Sequence, residues 1–366
     1  MSESKKKKLL LVGASGVIGQ SILAHFNQLS DWSVLSVGRR LPPNCSEADF
    51  LSVDLLDKAA CEQAFSGLRD ITHIIYAAVY EKPGALIEGW RDPDQMSKND
   101  QMLRNLIEPI NKSPSKVKHV TVFQGSKAYG SHIEKQVPIP ARERSPRHNH
   151  DNFYWLQEDY IRSVEPSASW SFTILRPRIV FGGALGSNMN PIAAIGVYAA
   201  LQKFKGEPLH YPGGLPRINQ ATDADLIARA CAWAAESSAS HNQTFNVENG
   251  DVFVWQNVWP AIADELDMPL GEDVPLFLDS LLATDASTWA QVVDRYQLQA
   301  PKDMKAFVGQ SLSYTDFQMG TGKEQAPNPV IVSSIKIRQA GFSDCIDSED
   351  MFRKWFRLYR KQRLLP

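Results

Sequence analysis

The chain has 366 residues, which at about 150 residues per domain is roughly two domains' worth. Lys plus Arg number 39 against 41 Asp plus Glu, a formal charge of −2, with 43% hydrophobic and 22% charged residues. These proportions exclude disorder, collagen and coiled coil, and the near-neutral charge argues against a dedicated nucleic-acid binder.

The segment begins with lysines 5–8 and four apolar residues, 9–12, and then meets Gly13. That run is too short for a signal-peptide core of about 7–15 residues, and the lysines read as a solvated tail. No stretch reaches the ~18 consecutive apolar residues of a spanning helix. Cys45, Cys61, Cys231 and Cys345 lie far apart with no Cys-x-x-Cys pair, which fits a reduced chain without disulfides or a zinc site. A cytoplasmic protein with no membrane and no nucleic-acid partner is expected.

Strand-like and helix-like segments alternate through the first half, the mark of a parallel sheet covered by helices on both faces. The apolar run 9–12 predicts a first strand. Ile18, Ile22 and Phe26, at four-residue intervals, predict a helix over 17–29. Further strands are expected at 33–37, 50–53, 72–78, 119–124 and 172–175. Arg176-Pro177 should end the last of these, since proline cannot continue a central ladder. Residues 182–190 read as a Gly/Ser/Asn-rich loop, 191–204 as a helix and 212–216 as a turn. Thr222 is placed to cap a helix from 223 to about 235, and 244–247 reads as one more strand. From 252 onward the pattern is mostly helical, interrupted by prolines at 260, 269, 275, 301, 327 and 329.

Gly13-Ala-Ser15-Gly16-Val17-Ile18-Gly19 follows the first strand directly and opens a helix. A pyrophosphate needs such a turn, because backbone N–H groups and a helix N-terminus must reach it with no side chain in the way. The spacing is G-x-x-G-x-x-G, and its position at the head of the strand–helix alternation makes it the candidate dinucleotide cradle. Roughly 20 residues past the last glycine, an NAD enzyme carries Asp or Glu for the ribose hydroxyls. This chain has Gly38-Arg39-Arg40 there. Two guanidiniums suit a 2′-phosphate through charge-assisted hydrogen bonds, so NADPH is the expected cofactor. Asp54 and Leu55, after the third strand, would flank the adenine.

The expected architecture is therefore α/β: a doubly wound parallel (Rossmann) sheet with a smaller, mainly helical C-terminal substrate lobe. Residues 1–180 form the NADP-binding domain, with 206–250 contributing late elements. Residues 181–205 and 251–366 form the lobe.

An oxidoreductase on this scaffold needs a group that hydrogen-bonds a substrate oxygen as charge develops on it. Tyrosine serves if a neighbouring cation lowers its pKa from about 10. Short-chain dehydrogenases usually supply the pair as Tyr-x-x-x-Lys. Here Tyr154 is followed at i+4 by Glu158, Tyr160 by Val164 and Tyr129 by Ile133, so the standard pair is absent. Asn152-Phe-Tyr154-Trp nevertheless opens a helix where that tyrosine would lie. Lys127, in Phe123-Gln-Gly-Ser-Lys127-Ala-Tyr129-Gly130, follows the fifth strand at the sheet edge where ligands bind, within reach of Tyr154 across space.

Several segments occur in a telling order: the glycine turn, Gly38-Arg-Arg, Gln124-Gly-Ser-Lys127-Ala-Tyr, Asn152-Phe-Tyr-Trp and Arg176-Pro-Arg-Ile-Val-Phe-Gly182. Thr222-Asp-Ala-Asp-Leu-Ile-Ala228 and Phe245-Asn-Val-Glu-Asn-Gly-Asp-Val-Phe253 follow. Together they resemble the progesterone 5β-reductase / iridoid synthase family of atypical short-chain dehydrogenases, over nearly the whole chain. That resemblance implies NADPH-dependent reduction of the C=C bond of an α,β-unsaturated carbonyl, with Tyr154 and a displaced Lys127 as the catalytic pair. It places Ala77, Ala78, Gln124, Pro177, Ile179, Ser187 and Met189 along the cofactor and Tyr80 and Tyr314 on the substrate side. The loop before Lys127 is one residue shorter than in the plant enzymes, Trp155 stands where they usually carry a second tyrosine, and Val79-Tyr-Glu-Lys82 differs. Steroid or monoterpene specificity is therefore not carried over.

The residues and the resemblance together imply an NADPH-dependent enone or enal 1,4-reductase whose partner is its small-molecule substrate, with a homodimer left open. A nucleotide-sugar epimerase or dehydratase and a non-catalytic NADPH sensor remain as alternatives. His148-Asn-His150 has metal-like spacing but sits in a polar loop after 142–147 and is not read as a metal site. The basic residues of 353–363 read as a solvated helix face opposite Met351, Phe352, Trp355, Phe356 and Leu358. Cys61 and Cys231 read as core residues, and Trp255, Trp259 and Leu266 as the core of the smaller lobe.

Overall fold

Four consecutive apolar side chains, Leu9, Leu10, Leu11 and Val12, are each 0% exposed and form the heart of strand β1 (Lys7–Val12). A strand buried on both faces belongs in the middle of a parallel sheet, and that is where β1 lies. The computed structural model describes residues 7–86, 88–133 and 136–366. In chain order, β1 is followed by helix α1 (Val17–Phe26), β2 (Trp32–Gly38), β3 (Phe50–Ser52), α2 (Lys58–Phe65) and β4 (His73–Tyr76). Then come α3 (Pro93–Lys112), β5 (His119–Phe123), α4 (Phe153–Val164) and β6 (Ser171–Pro177). The helix Ala224–Glu236 and the strand Gln243–Val247 return to the same sheet.

The sheet of seven strands, counted among the described residues, runs Gln243–Val247, β6, β5, β4, β1, β2, β3, with every pairing parallel. The strand order reverses between β1 and β4, and the crevice at such a point is where open α/β sheets take their ligands. One face packs Leu10, Val12, Ile74, Val120 and Ile174 against Phe65, Leu103, Leu106 and Ile161 of α2, α3 and α4. On α1 packs the helix Ala224–Glu236.

Three sequence expectations are corrected by the structure. Strand β6 continues through Arg176 to Pro177, which pairs with Val247. Backbone groups along a strand turn to alternate neighbours. Leu175 accepts from the Gln124 N–H, so Pro177, two residues on, turns its missing donor towards β5, whose pairing has already ended at Phe123. Likewise residues 221–223 form a strand, Ala221–Asp223, so Thr222 precedes the helix from within the ladder. The fourth strand is also shorter than 72–78, because Ala77 and Ala78 leave it to lie against the glycine turn.

The chain divides into two units: Met1–Arg178 with Ala224–Val247 and Val332–Asp344, and Ile179–Asp223 with Glu248–Ile331 and Cys345–Pro366. The second is mainly helical, built around Trp255, Trp259, Trp289, Phe307 and Tyr359, each 2% exposed or less. Its last helix, Ser348–Lys361, buries Met351, Phe352, Trp355, Phe356 and Tyr359. The basic face of that helix is ion-paired rather than merely solvated. Arg353 meets Asp264 and Arg357 meets Glu265, each at 2.6 Å, and Lys354 meets the fully buried Asp223 at 2.6 Å. No helix among the described residues is long and apolar enough to cross a membrane.

Candidate active site

The glycine turn is shaped by contacts that leave no room for side chains. Gly13 has φ +87°, and a Cβ there would stand 2.7 Å from the backbone of both Ala77 and Ala78. A Cβ on Gly19 would overlap the Gly13 carbonyl oxygen, so this glycine lets α1 close on the turn. Gly16 differs: it is exposed, it is the N-cap of α1, and a Cβ there would meet only the Gly13 oxygen at 3.6 Å. No side chain caps α1 and no acid lies in its first turn. The Gly16 N–H donates to the Gly13 carbonyl at 3.1 Å, and the leading N–H groups of Val17 and Ile18 present the positive end of the helix dipole beside an open glycine. Ser15 is half-buried, its carbonyl accepting from Gln20 Nε2 at 3.0 Å. The arrangement fits the pyrophosphate of a dinucleotide.

Arg39 and Arg40 are exposed just past the end of β2. Asp54 is exposed and its carboxylate accepts from the Leu56 N–H at 3.0 Å, fixing the turn after β3. Leu55 is buried, and its carbonyl accepts from Asn105 Nδ2 at 2.7 Å.

Tyr154 sits in the first turn of α4, whose N-cap Asn152 accepts the Tyr154 N–H at 3.0 Å. Its side chain is 8% exposed, and its hydroxyl lies at the turn that follows β5. A Cβ on Gly125 would be 3.3 Å from that oxygen and 3.6 Å from the Pro177 carbonyl. Lys127 enters from the short turn Ser126–Tyr129 and is half-buried. Its ammonium lies 3.6 Å from the centroid of Trp90, while the Tyr154 ring stands edge-on to the same indole at 5.5 Å. The two residues, 27 positions apart in sequence, meet on one tryptophan. Burial pushes the Lys127 ammonium down to about 8, the Glu81 carboxylate opposing this and the Arg178 guanidinium reinforcing it. Arg178 donates to Ser126 Oγ at 2.8 Å.

Behind Tyr154 lies a buried polar network. Gln124 Nε2 donates to the Tyr154 carbonyl at 3.1 Å and to Glu158 Oε2 at 2.9 Å, and Gln124 Oε1 accepts from Arg176 Nε at 2.7 Å. Arg176 also faces Glu158 at 3.5 Å and donates to the Tyr129 hydroxyl at 3.3 Å, which in turn donates to Asn246 Oδ1 at 2.7 Å. Glu158, one helical turn after Tyr154, is thereby fixed behind the tyrosine.

The remaining sequence candidates fall in two places. Ala77, Ala78 and Pro177 are at the ends of β4 and β6, beside the glycine turn and Gly125. Tyr80 packs on the sheet core with Lys98 4.9 Å over its ring, and Asn99 holds both its N–H and its carbonyl at 2.8 Å. Ile179, Ser187, Met189 and Tyr314 belong to the second unit. There Ile179 is buried, the Ser187 carbonyl accepts from Ser311 Oγ at 2.6 Å, Met189 is half-buried and Tyr314 is 8% exposed. Trp90, Glu81, Arg178 and the Glu158–Arg176 pair were not selected from the sequence as site residues. Arg176 carried one signal: a charged residue at the end of an apolar strand, between Leu175 and Pro177.

Comparison with known proteins bears on this geometry. Residues 9–247 match the NAD dependent epimerase/dehydratase family. The (S)-8-oxocitronellyl enol synthase of Nepeta racemosa is 32% identical over 312 residues, 80% of this chain and 78% of that one. The 3-oxo-Delta(4,5)-steroid 5-beta-reductase of Arabidopsis thaliana is 29% identical over 387 aligned positions, 100% of this chain and 95% of that one. The chain belongs to the progesterone 5β-reductase / iridoid synthase family of extended short-chain dehydrogenase/reductases.

The fold is shared more widely. The UDP-glucose 4-epimerase of Thermotoga maritima superposes with a TM-score of 0.65 at 16% identity, covering 97% of this chain and 99% of that one. A short-chain dehydrogenase/reductase protein of Agrobacterium tumefaciens, solved with bound NAD, superposes with a TM-score of 0.63 at 14% identity, covering 98% of each chain. The crowded glycines and the open Gly16 are consistent with a dinucleotide-binding site of this kind in the family member described here.

Proposed function

We propose that this protein is an NADPH-dependent 1,4-reductase of enones or enals, in which Tyr154, supported by Lys127, stabilises the enolate. The observation that carries the reading is the meeting of Tyr154 and Lys127 on Trp90 at the C-terminal ends of β5 and β6, in a chain whose i+4 position holds Glu158. The names of the two plant relatives, an enol synthase and a 3-oxo-steroid reductase, point to the same chemistry.

The dinucleotide, when bound, supplies the hydride, which adds to the substrate carbon β to the carbonyl. The chain's own part follows from charge. As the C=C bond takes up the hydride, negative charge collects on the carbonyl oxygen, two atoms away from the new C–H bond. The Tyr154 hydroxyl donates a hydrogen bond to that oxygen. The half-buried Lys127 ammonium makes the tyrosine a better donor through its field. Solvent protonates the α-carbon afterwards. Arg39 and Arg40 hold the 2′-phosphate, with Asp54 and Leu55 beside the adenine. Ser15, Val17 and Ile18 offer backbone N–H groups to the pyrophosphate, Gly16 leaves room for it, and Gly13 and Gly19 shape the turn. Consumption of NADPH against a panel of small and bulky enones, with the saturated carbonyl identified as product, tests the reading. Turnover of UDP-sugars instead would replace it with the epimerase alternative.

A further inference from the structure

A lysine that shares a helix with its tyrosine is held in place by that helix. Here Lys127 sits on a separate short turn, so something else must hold its flexible side chain. The candidate is Trp90, on the turn Glu88–Arg91 in the stretch between β4 and α3. This stretch is pinned by polar side chains of α3. Asn99 holds the backbone of Tyr80, Gln95 Oε1 accepts from the Lys82 N–H at 2.7 Å, and Lys82 is ion-paired with the helix cap Asp92. The Gly89 N–H closes onto the Ala85 carbonyl at 2.7 Å, and a Cβ at Gly89 would press on Gln95 Oε1 at 2.5 Å. Next to Trp90, Arg91 donates to the His132 carbonyl at 2.7 Å, which ties this stretch to the loop that follows Lys127.

Trp90 itself is 3% exposed and packs on Phe153 at 5.0 Å and on Tyr154 at 5.5 Å. Its indole N–H is buried and finds no acceptor among the described residues, so the position uses the ring and not its polar handle. The ring's negative face is turned to the Lys127 ammonium at 3.6 Å, close enough to favour the charged form.

We propose that Trp90 is a positioning residue that holds the Lys127 ammonium beside Tyr154, doing through its ring face what a shared helix does in the Tyr-x-x-x-Lys arrangement. The inference rests on the reading of Tyr154 and Lys127 as the reacting pair. In this role Trp90 touches neither substrate nor cofactor; it acts through the lysine.

The test uses the full-length protein and four kinds of variant: Trp90→Leu and Trp90→Met, which fill space without a π-face, Trp90→Phe, which keeps one, and Lys127→Met as the reference. Enone reduction with saturating NADPH is followed across neutral and alkaline pH, beside NADPH affinity and thermal melting. Losing the ring face should shift the alkaline fall of kcat downward by about half to one pH unit and lower kcat about 5- to 20-fold. NADPH affinity should stay within about twofold, and Trp90→Phe should recover most of both effects. Two space-filling variants keep the test alive if one of them folds poorly. An alkaline limb that stays put in Trp90→Leu or Trp90→Met, while Lys127→Met is strongly impaired, would overturn the role of Trp90 alone. Full activity in Lys127→Met would overturn the pair and this inference with it.

Discussion

Glu158 stands one helical turn after Tyr154, and its carboxylate is held from behind by Arg162 at 2.9 Å and Arg176 at 3.5 Å. With Arg147 at 3.7 Å as well, the position that a standard short-chain dehydrogenase gives to lysine is filled by an acid already committed to three arginines. Changing Glu158→Lys would recreate the Tyr-x-x-x-Lys spacing but press an ammonium against the buried Arg176. The account expects loss of stability by about 3–5 kcal/mol and no gain in activity, because breaking a buried pair strands its partner. Glu158→Gln should be milder. Urea unfolding and enone turnover of both variants check this.

For the pair itself, Lys127→Met and Tyr154→Phe should each slow the chemical step and leave NADPH affinity within a few-fold. Groups that act as a unit are not additive, so the double variant should lose little more than the worse single one. Full activity in Tyr154→Phe would show that another group serves the oxygen.

The displaced pKa of Lys127 gives this prediction a pH dependence. The ammonium persists below about 8, so kcat should fall as pH rises through that value. Stability moves the other way. The folded pKa lies below the ordinary lysine value of 10.5, so the folded state gives up its proton first and stability rises between about 8 and 10.5. At neutral pH the buried charge is a burden, and Lys127→Met should stabilise the protein by about 1–2 kcal/mol. Denaturation midpoints at neutral and alkaline pH measure both signs.

In the proposed function, cofactor choice is assigned to Arg39 and Arg40. NADPH should bind at least about tenfold tighter than NADH, and replacing both arginines with alanine should erase the preference, since charge-assisted contacts contribute about 1.5–3 kcal/mol each. Titration of each cofactor into both proteins decides it. Equal affinities in the unmodified chain would remove the assignment.

Much of the fold was legible because periodicity and burial coincide. The run 9–12 is buried on every side, and Ile22 and Phe26 point from α1 into the core. The glycine turn was legible for the same reason, since Gly13 and Gly19 are there to avoid overlap. Pro177 was misread because the rule against proline in a ladder ignores which neighbour the missing donor would face. Tyr154 and Lys127 stood out through motif and position, but the ring that joins them did not. Trp90 lies outside any strand or long helix, and no period marks it; only the folded chain brings it beside residues 37 and 64 positions away.

The sheet also carries an acid-sensitive pair. His73 on β4 and His119 on β5 are register partners and buried. Burial holds the first down to about 4 and the second to about 3. Both values lie below the ordinary 6.5, so each histidine contributes stability that is present above that pH and is lost as pH falls towards 4 and 3. Replacing both with glutamine should flatten the loss of stability in this window by on the order of 2 kcal/mol, read from urea midpoints at successive pH values.

The central claim is that hydride adds to carbon while Tyr154 holds an enolate oxygen. The most direct measurement is the reduction of a simple enone with NADPH deuterated at the nicotinamide C4, with the label located in the product by NMR. The account predicts a saturated carbonyl compound carrying deuterium at the β-carbon, formed at a rate that Tyr154→Phe sharply lowers. An allylic alcohol with deuterium on the carbonyl carbon would contradict it.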